Sequence, residues 1–232
     1  MGEFWDARAR EDSLFFVDDR LEYGAADAER FWAGGPAALD QILGALEVTV
    51  DAGQTVVEIG CGVGRITRPL AERARRVVAL DVSGEMLALA RRDNPALDNV
   101  EWLQGSGVDL AGVTNASADA CFSHVVFQHI PDPRITLGYV REMGRVLKPG
   151  GWAAFQISNA PEVHDRTPGS AKRARLAVAR RLGRAPHGTG DARWLGSAVD
   201  LGDLERSAAD GALSVERVLH ARTQFCLVLL RR

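Results

Sequence analysis

The chain has 232 residues, 46% hydrophobic and 25% charged, with a formal charge of −3. That length suits one large α/β domain with appendages, and the mildly acidic balance gives no general pull toward nucleic acid. No apolar run reaches the roughly 18 residues a membrane span needs, and the N-terminus MGEFWDARARED lacks a basic stretch followed by an apolar one, so a cytosolic protein is expected.

Residues 1–35 carry Phe4, Trp5, Phe15, Phe16, Tyr23, Phe31 and Trp32. This density of aromatics predicts a helical arm packed on the domain and covering a ligand crevice, with Tyr23 and Trp32 as its pocket candidates. The main domain is taken as residues 36–232. PAALDQILGALEV has apolar residues at helical spacing behind Pro36 at a helix start, and TVVEIG then reads as a buried strand. RITRPLAERA is a helix with Pro69 near its first turn, and RVVALDV is a second buried strand. SGEMLALARRDN is a helix capped by Ser83, followed by NVEWLQG as a third strand. ADACFSHVV is the fourth. ITLGYVREMGRVLKPGG is a helix ended by a proline and two glycines, and GWAAFQIS follows as the fifth strand. Residues 159–198 mix proline, glycine and a basic helix, and DLGDLERSAADG, LSVERVLHA and TQFCLVLLRR give a helix and two strands close enough to pair. Strands alternating with helices imply a parallel sheet covered on both faces. Cys61, Cys121 and Cys226 lie far apart beside apolar runs and read as buried thiols, with no metal cluster or disulfide framework in the pattern.

In VVEIGCGVGR, Gly60, Gly62 and Gly64 close the first strand at every second position, where a packed strand would want side chains. Bare backbone there lets N–H and C=O groups approach a ligand. Asp81 ends the second strand about twenty residues on, where an acid accepts from a ribose diol and repels a 2′-phosphate. That pair fits NAD and other adenosine cofactors alike. The spacing is G-x-G-x-G, however, where the dinucleotide fingerprint is G-x-G-x-x-G, and the chain ends in a hairpin where a second dinucleotide-binding half would stand.

VVEIGCGVGR, VVALDVSGEMLALAR, ADACFSHVVFQHIPDP and REMGRVLKPGGWAAFQIS, in that order, resemble the motifs of the class I S-adenosylmethionine (SAM) dependent methyltransferases, small-molecule branch. The resemblance spans residues 55–158. It implies a doubly wound, Rossmann-like, mostly parallel sheet of seven strands in the order 3-2-1-4-5-7-6 with the last antiparallel. It also implies SAM as cofactor. Gly60, Gly62 and Gly64 would line the methionine part, with Glu58 fixing the loop or the amino group. Asp81 would hold the ribose hydroxyls and Val82 would lie on the adenine. Gly105 and Ser106 stand where the family usually has Gly-Asp, so Ser106 is the expected, uncharged acceptor for the adenine amine. Ser123 or His124 would offer a carbonyl to the ammonium group.

Methyl transfer is an in-line displacement that depends chiefly on alignment, but a hydroxyl acceptor must lose a proton. His129 and His124, beyond the fourth strand, are the candidate bases, and His164 is a third; loop-shaping hydrogen bonds are the competing account of each. Arg20 and Arg65 are candidates for the cofactor carboxylate, with pairing to acids such as Asp18 as the competing account. The run AKRARLAVARRLGR, with Lys172, Arg173, Arg175, Arg180, Arg181 and Arg184, reads either as a solvated helix or as a lid meeting an anionic substrate. The expected function is methyl transfer to a small molecule, at oxygen before nitrogen. An RNA methyltransferase and a SAM-binding protein without transferase activity are the alternatives. SHVV stands where a base-stacking N-P-P-Y-like tetrapeptide would be needed for the first of these, which makes nucleic acid the weaker partner.

Overall fold

A computed structural model describes residues 1–164, 179 and 185–232 of the chain. Seven strands form one sheet: β1 (Thr55–Ile59), β2 (Arg76–Asp81), β3 (Val100–Gln104), β4 (Ala118–Ser123), β5 (Leu147–Ile157), β6 (Ser214–Leu219) and β7 (Cys226–Arg231). Their order is β3-β2-β1-β4-β5-β7-β6, with β7 antiparallel to both β5 and β6 and the other pairings parallel. This is the sheet the sequence predicts. All five residues of β1 are buried, which explains why TVVEI shows no polar alternation: helices cover it on both sides.

The helices are α1 (Gly2–Val17), α2 (Ala28–Leu46), α3 (Thr67–Arg73), α4 (Gly84–Asp93), α5 (Pro133–Val146), α6 (Pro161–His164), α7 (Ala192–Leu195) and α8 (Leu201–Asp210). On one face, Val140 and Met143 of α5 and Leu204 and Ala208 of α8 pack on Val57, Leu80 and Phe155. On the other, Leu39 and Leu43 of α2 and Leu70 of α3 pack on Val56, Val77 and Phe122. In α5 the sequence chemistry is direct: Asp132 accepts from Arg134 N, Pro133 occupies the first turn where its missing N–H costs nothing, and the buried residues recur at helical spacing.

Two elements depart from expectation. The second helix starts at Ala28 under an Asp27 cap, so Pro36 lies inside it and the boundary drawn at 35/36 falls within the helix. Packing outweighs the lost hydrogen bond: Phe31 is fully buried, and Gly35 lies so close to Arg65 that a Cβ would overlap its carbonyl oxygen. The segment Lys148-Pro149-Gly150-Gly151 belongs to β5, where the register shifts between Ala118 and Ala120 of β4, and Gly150 takes φ +82.

The arm docks through polar contacts. Asp6 Oδ1 accepts from Ser83 Oγ at 2.6 Å and from Glu85 N at 3.1 Å, joining α1 to the start of α4. At Asp12 the helix breaks, and that carboxylate accepts from Phe15 N and Gly24 N. Among the described residues no helix is long and apolar enough to cross a membrane.

Candidate active site

The turn after β1 is tied to the end of β2 by three hydrogen bonds. Gly60 N and Cys61 N both donate to Leu80 O, at 2.7 and 2.9 Å, and Gly62 N donates to Asp81 Oδ2 at 2.8 Å. Gly60, Gly62 and Gly64 have φ of +76, +55 and +95, so all three occupy backbone that side chains resist. A Cβ on Gly60 would overlap Val126, and one on Gly62 would lie 2.9 Å from Val17 Cγ2, so the bare turn also admits two protein neighbours. The other Asp81 oxygen accepts from Ser83 N at 2.9 Å. Each oxygen therefore holds one backbone N–H and keeps a lone pair for a further donor. Burial raises the Asp81 carboxyl above its ordinary range, and the backbone hydrogen bonds oppose that.

A cavity opens beside this turn, at the carboxyl ends of β1, β2 and β4. Toward β3 it is lined by Val82, Gly105 and Gly107, and toward β4 by His124, Val125, Val126 and His129, with Gly60, Gly62 and Asp81 between. Val125 has φ +58, unusual for a β-branched residue, so the exit from β4 is a strained backbone corner at the cavity edge. The structure thus gathers Gly60, Gly62, Asp81, Val82, Gly105, His124 and His129 around one space.

Glu58, Gly64, Ser106 and Ser123 stand outside that lining. Glu58 is buried and accepts from Thr67 Oγ1 at 2.6 Å; burial, then the Asp81 charge, push its carboxyl up to about 7 against the Thr67 bond. Ser123 Oγ donates to Ile59 O, joining β4 to β1. Ser106 Oγ donates to Asp109 Oδ1 at 2.6 Å and accepts from two backbone N–H groups of its own turn, which leaves it little capacity for a base.

The histidines differ sharply. His129 Nδ1 is 2.6 Å from Trp194 O, an acceptor only, so Nδ1 carries the proton; Nε2 then accepts from the Gln128 amide at 3.3 Å. Its ring sits between Trp5 and Trp194, and burial holds it below its ordinary pKa. His124 has a buried Nδ1 with no hydrogen-bond partner among the described residues. Burial, then the charges of Arg65 and Arg20, push it down to about 4, with Asp18 and Gln156 opposing. His164 is committed on both nitrogens, to Leu195 O and Ser158 Oγ, each at 2.6 Å.

A second cavity adjoins the first. Phe16, Val17, His124, Val125 and His129 line both and form the partition. Its far walls carry Asp18, Arg20, Arg65, Gln156, Gln224 and Phe225. Arg20 and Arg65 line this space and not the first, and both meet Asp18. Tyr23 donates to Glu11 and Trp32 lies under Arg68, and neither lines either of these two cavities. The arm contributes Trp5, Phe16 and Val17 instead, and α5 contributes Tyr139. Nothing in the sequence separates these from ordinary core residues. The basic run, Lys172 to Arg184, lies outside the described residues.

Comparison with known proteins agrees with this geometry. Residues 57–155 match the family model described as Methyltransferase domain. A trans-aconitate 2-methyltransferase of Azoarcus sp. is 42% identical over 147 residues, 60% of this chain and 54% of that protein. A ubiquinone biosynthesis O-methyltransferase of Xanthomonas oryzae pv. oryzae is 31% identical over 147 residues, 59% of each. The chain thus spans a little over half the length of these curated relatives. The crystal structure of an S-adenosylmethionine-dependent methyltransferase from Mesorhizobium loti superposes with a TM-score of 0.62 at 22% identity, covering 87% of this chain and all (100%) of that one. Motif order, sheet order and family match converge on residues 57–155, which match a methyltransferase domain inside a sheet of the fold seen in SAM-dependent methyltransferases.

Proposed function

We propose that the protein transfers a methyl group from SAM to an oxygen atom of a small-molecule acceptor. The carrying observation is that a glycine- and aspartate-bounded cavity shares His124 and Val125 with a second cavity of mixed polar and apolar lining. Bound SAM supplies a methyl group already activated by its positive sulfur. The remaining task of this chain is to hold two ligands in line and keep water out.

In this reading Gly60 and Gly62 take the methionine portion, and Gly64 and the Glu58–Thr67 pair hold the turn in shape. Asp81 accepts from the ribose hydroxyls through its spare lone pairs, and Val82 packs on the adenine. Gly105 and its neighbouring backbone meet the adenine edge, since the Ser106 hydroxyl is spent on Asp109. The Ser123 carbonyl remains available to the ammonium, because only its hydroxyl is engaged with Ile59. His124, with an unpartnered nitrogen on the partition, faces the acceptor; His129 holds the partition against α7. A neutral imidazole at His124 can take the proton an acceptor hydroxyl gives up. The relative named an O-methyltransferase supports oxygen as the acceptor atom.

The test is to incubate purified protein with methyl-labelled SAM and a fractionated extract of small molecules. Label in an O-methyl product, with matching S-adenosylhomocysteine (SAH), is expected. Label entering RNA, or no SAH while SAM still binds, would refute the assignment.

A further inference from the structure

Arg65 is a buried cation with little to hold it. Its side chain is 4% exposed, and its Nε has no hydrogen-bond partner among the described residues. Its contacts are long: Gly34 O at 3.3 Å, Asp18 Oδ2 at 3.5 Å and the Phe31 ring at 5.8 Å from the guanidinium carbon. Asp18 is mainly committed elsewhere, since Arg20 grips both of its oxygens at 2.6 and 2.7 Å. A guanidinium removed from water without close acceptors is costly, so a fold that keeps one has an acceptor to offer it.

The second cavity is where that acceptor would sit. Arg65 and Arg20 line it, and so does His124, whose unpartnered Nδ1 is a second orphaned polar atom on the same space. The remaining walls mix one further acid, Asp19, and amide side chains, Gln128, Gln156 and Gln224, with apolar Ile42, Phe225 and Leu227. Such walls suit an organic molecule carrying one anionic group better than a highly charged polyanion. A planar carboxylate matches the two-pronged donor face of a guanidinium.

We infer that the second cavity binds the acceptor by a carboxylate group and that Arg65 is the residue that holds it. This rests on the methyltransferase reading and adds a substrate class to it: a small organic acid bearing a methylatable oxygen. Asp18 acts as the internal competitor, occupying the cationic site until the acid arrives. The carboxylate also offsets the guanidinium charges that bear on His124, which relieves the second cause of its lowered basicity while burial, the first, remains.

Calorimetry on the full chain saturated with SAH tests this, using succinate, phenylacetate and 4-hydroxybenzoate, each beside its primary amide, and inorganic phosphate. At least one acid should bind while its amide and phosphate do not. Arg65→Gln should weaken the binding acid by about tenfold or more, whereas Asp18→Asn should tighten it by removing the competing charge. Opposite signs for these two variants are the signature, because a merely structural role would make both weaken binding. Acids and amides binding alike, phosphate binding as well as the acids, or none of the acids binding would overturn the inference while leaving the methyltransferase reading intact. Absence of SAH binding to the wild type would instead sink that underlying reading. Should either variant misfold, the acid-against-amide comparison on wild-type protein decides alone.

Discussion

The protonated Nδ1 of His129 points at the carbonyl oxygen of Trp194, 2.6 Å away, and so fastens the 3-10 turn after β4 to α7 across 65 residues of sequence. Both ring nitrogens are committed, since Gln128 donates to Nε2 and itself accepts from Gln156 at 2.5 Å. His129→Ala is therefore expected to lower the thermal midpoint and to raise KM for the acceptor more than it lowers kcat. His129→Asn, which can still donate to the carbonyl, should recover part of both. A loss confined to kcat, with a displaced pH–rate profile, would mark His129 as the base instead.

Glu58 makes the fold pH-sensitive in a defined direction. Its carboxyl moves from 4.5 to about 7 on folding, which corresponds to roughly 3 kcal/mol once both states are ionised. A raised folded value favours the neutral form, so the contribution is fully present below about pH 4.5 and is lost as pH rises through 7. Glu58→Gln should lose less stability than the wild type between about pH 5 and pH 8. Denaturant titrations at several pH values check this, and parallel curves for the two proteins would refute it.

The sheet and the glycine turn were legible in the sequence because their signals are local. Buried strands read as apolar runs, and G-x-G-x-G followed by Asp81 at the end of the next strand marks where backbone must be bare and where a carboxylate meets it. The walls were not legible. Which apolar faces of the arm turn inward depends on how α1 docks, and that is set by Asp6 reaching Ser83 across 77 residues. Tyr23 and Trp32 looked as eligible as Trp5 and Phe16 until that contact fixed the helix. The Arg65–Asp18 pairing and the commitment of Ser106 to its own turn are likewise products of tertiary placement. Pro36 misplaced a helix start because the burial of Phe31 carries the helix through it.

The arm itself yields a prediction. Asp6 accepts two hydrogen bonds at the start of α4, and Arg10 pairs with Glu85 on the same helix. With Val17 lying against Gly62, α1 covers the turn proposed to receive the cofactor. Asp6→Ala should increase backbone hydrogen exchange across residues 2–17 and speed SAH dissociation, with a modest loss of global stability because the contact is part-buried and Ser83 is fully buried. Unchanged exchange and dissociation would show that the arm is held by its apolar contacts alone.

The account turns on the cavity bounded by Gly62 and Asp81 being the cofactor site, and SAH calorimetry on Asp81→Asn tests that most directly. An amide there has one oxygen for two backbone N–H donors, and it carries no charge toward the ribose. The expected result is a loss of about 1–3 kcal/mol in SAH binding, roughly five- to 150-fold in affinity, in a variant whose thermal unfolding remains cooperative. Wild-type affinity in a folded Asp81→Asn protein would contradict the account.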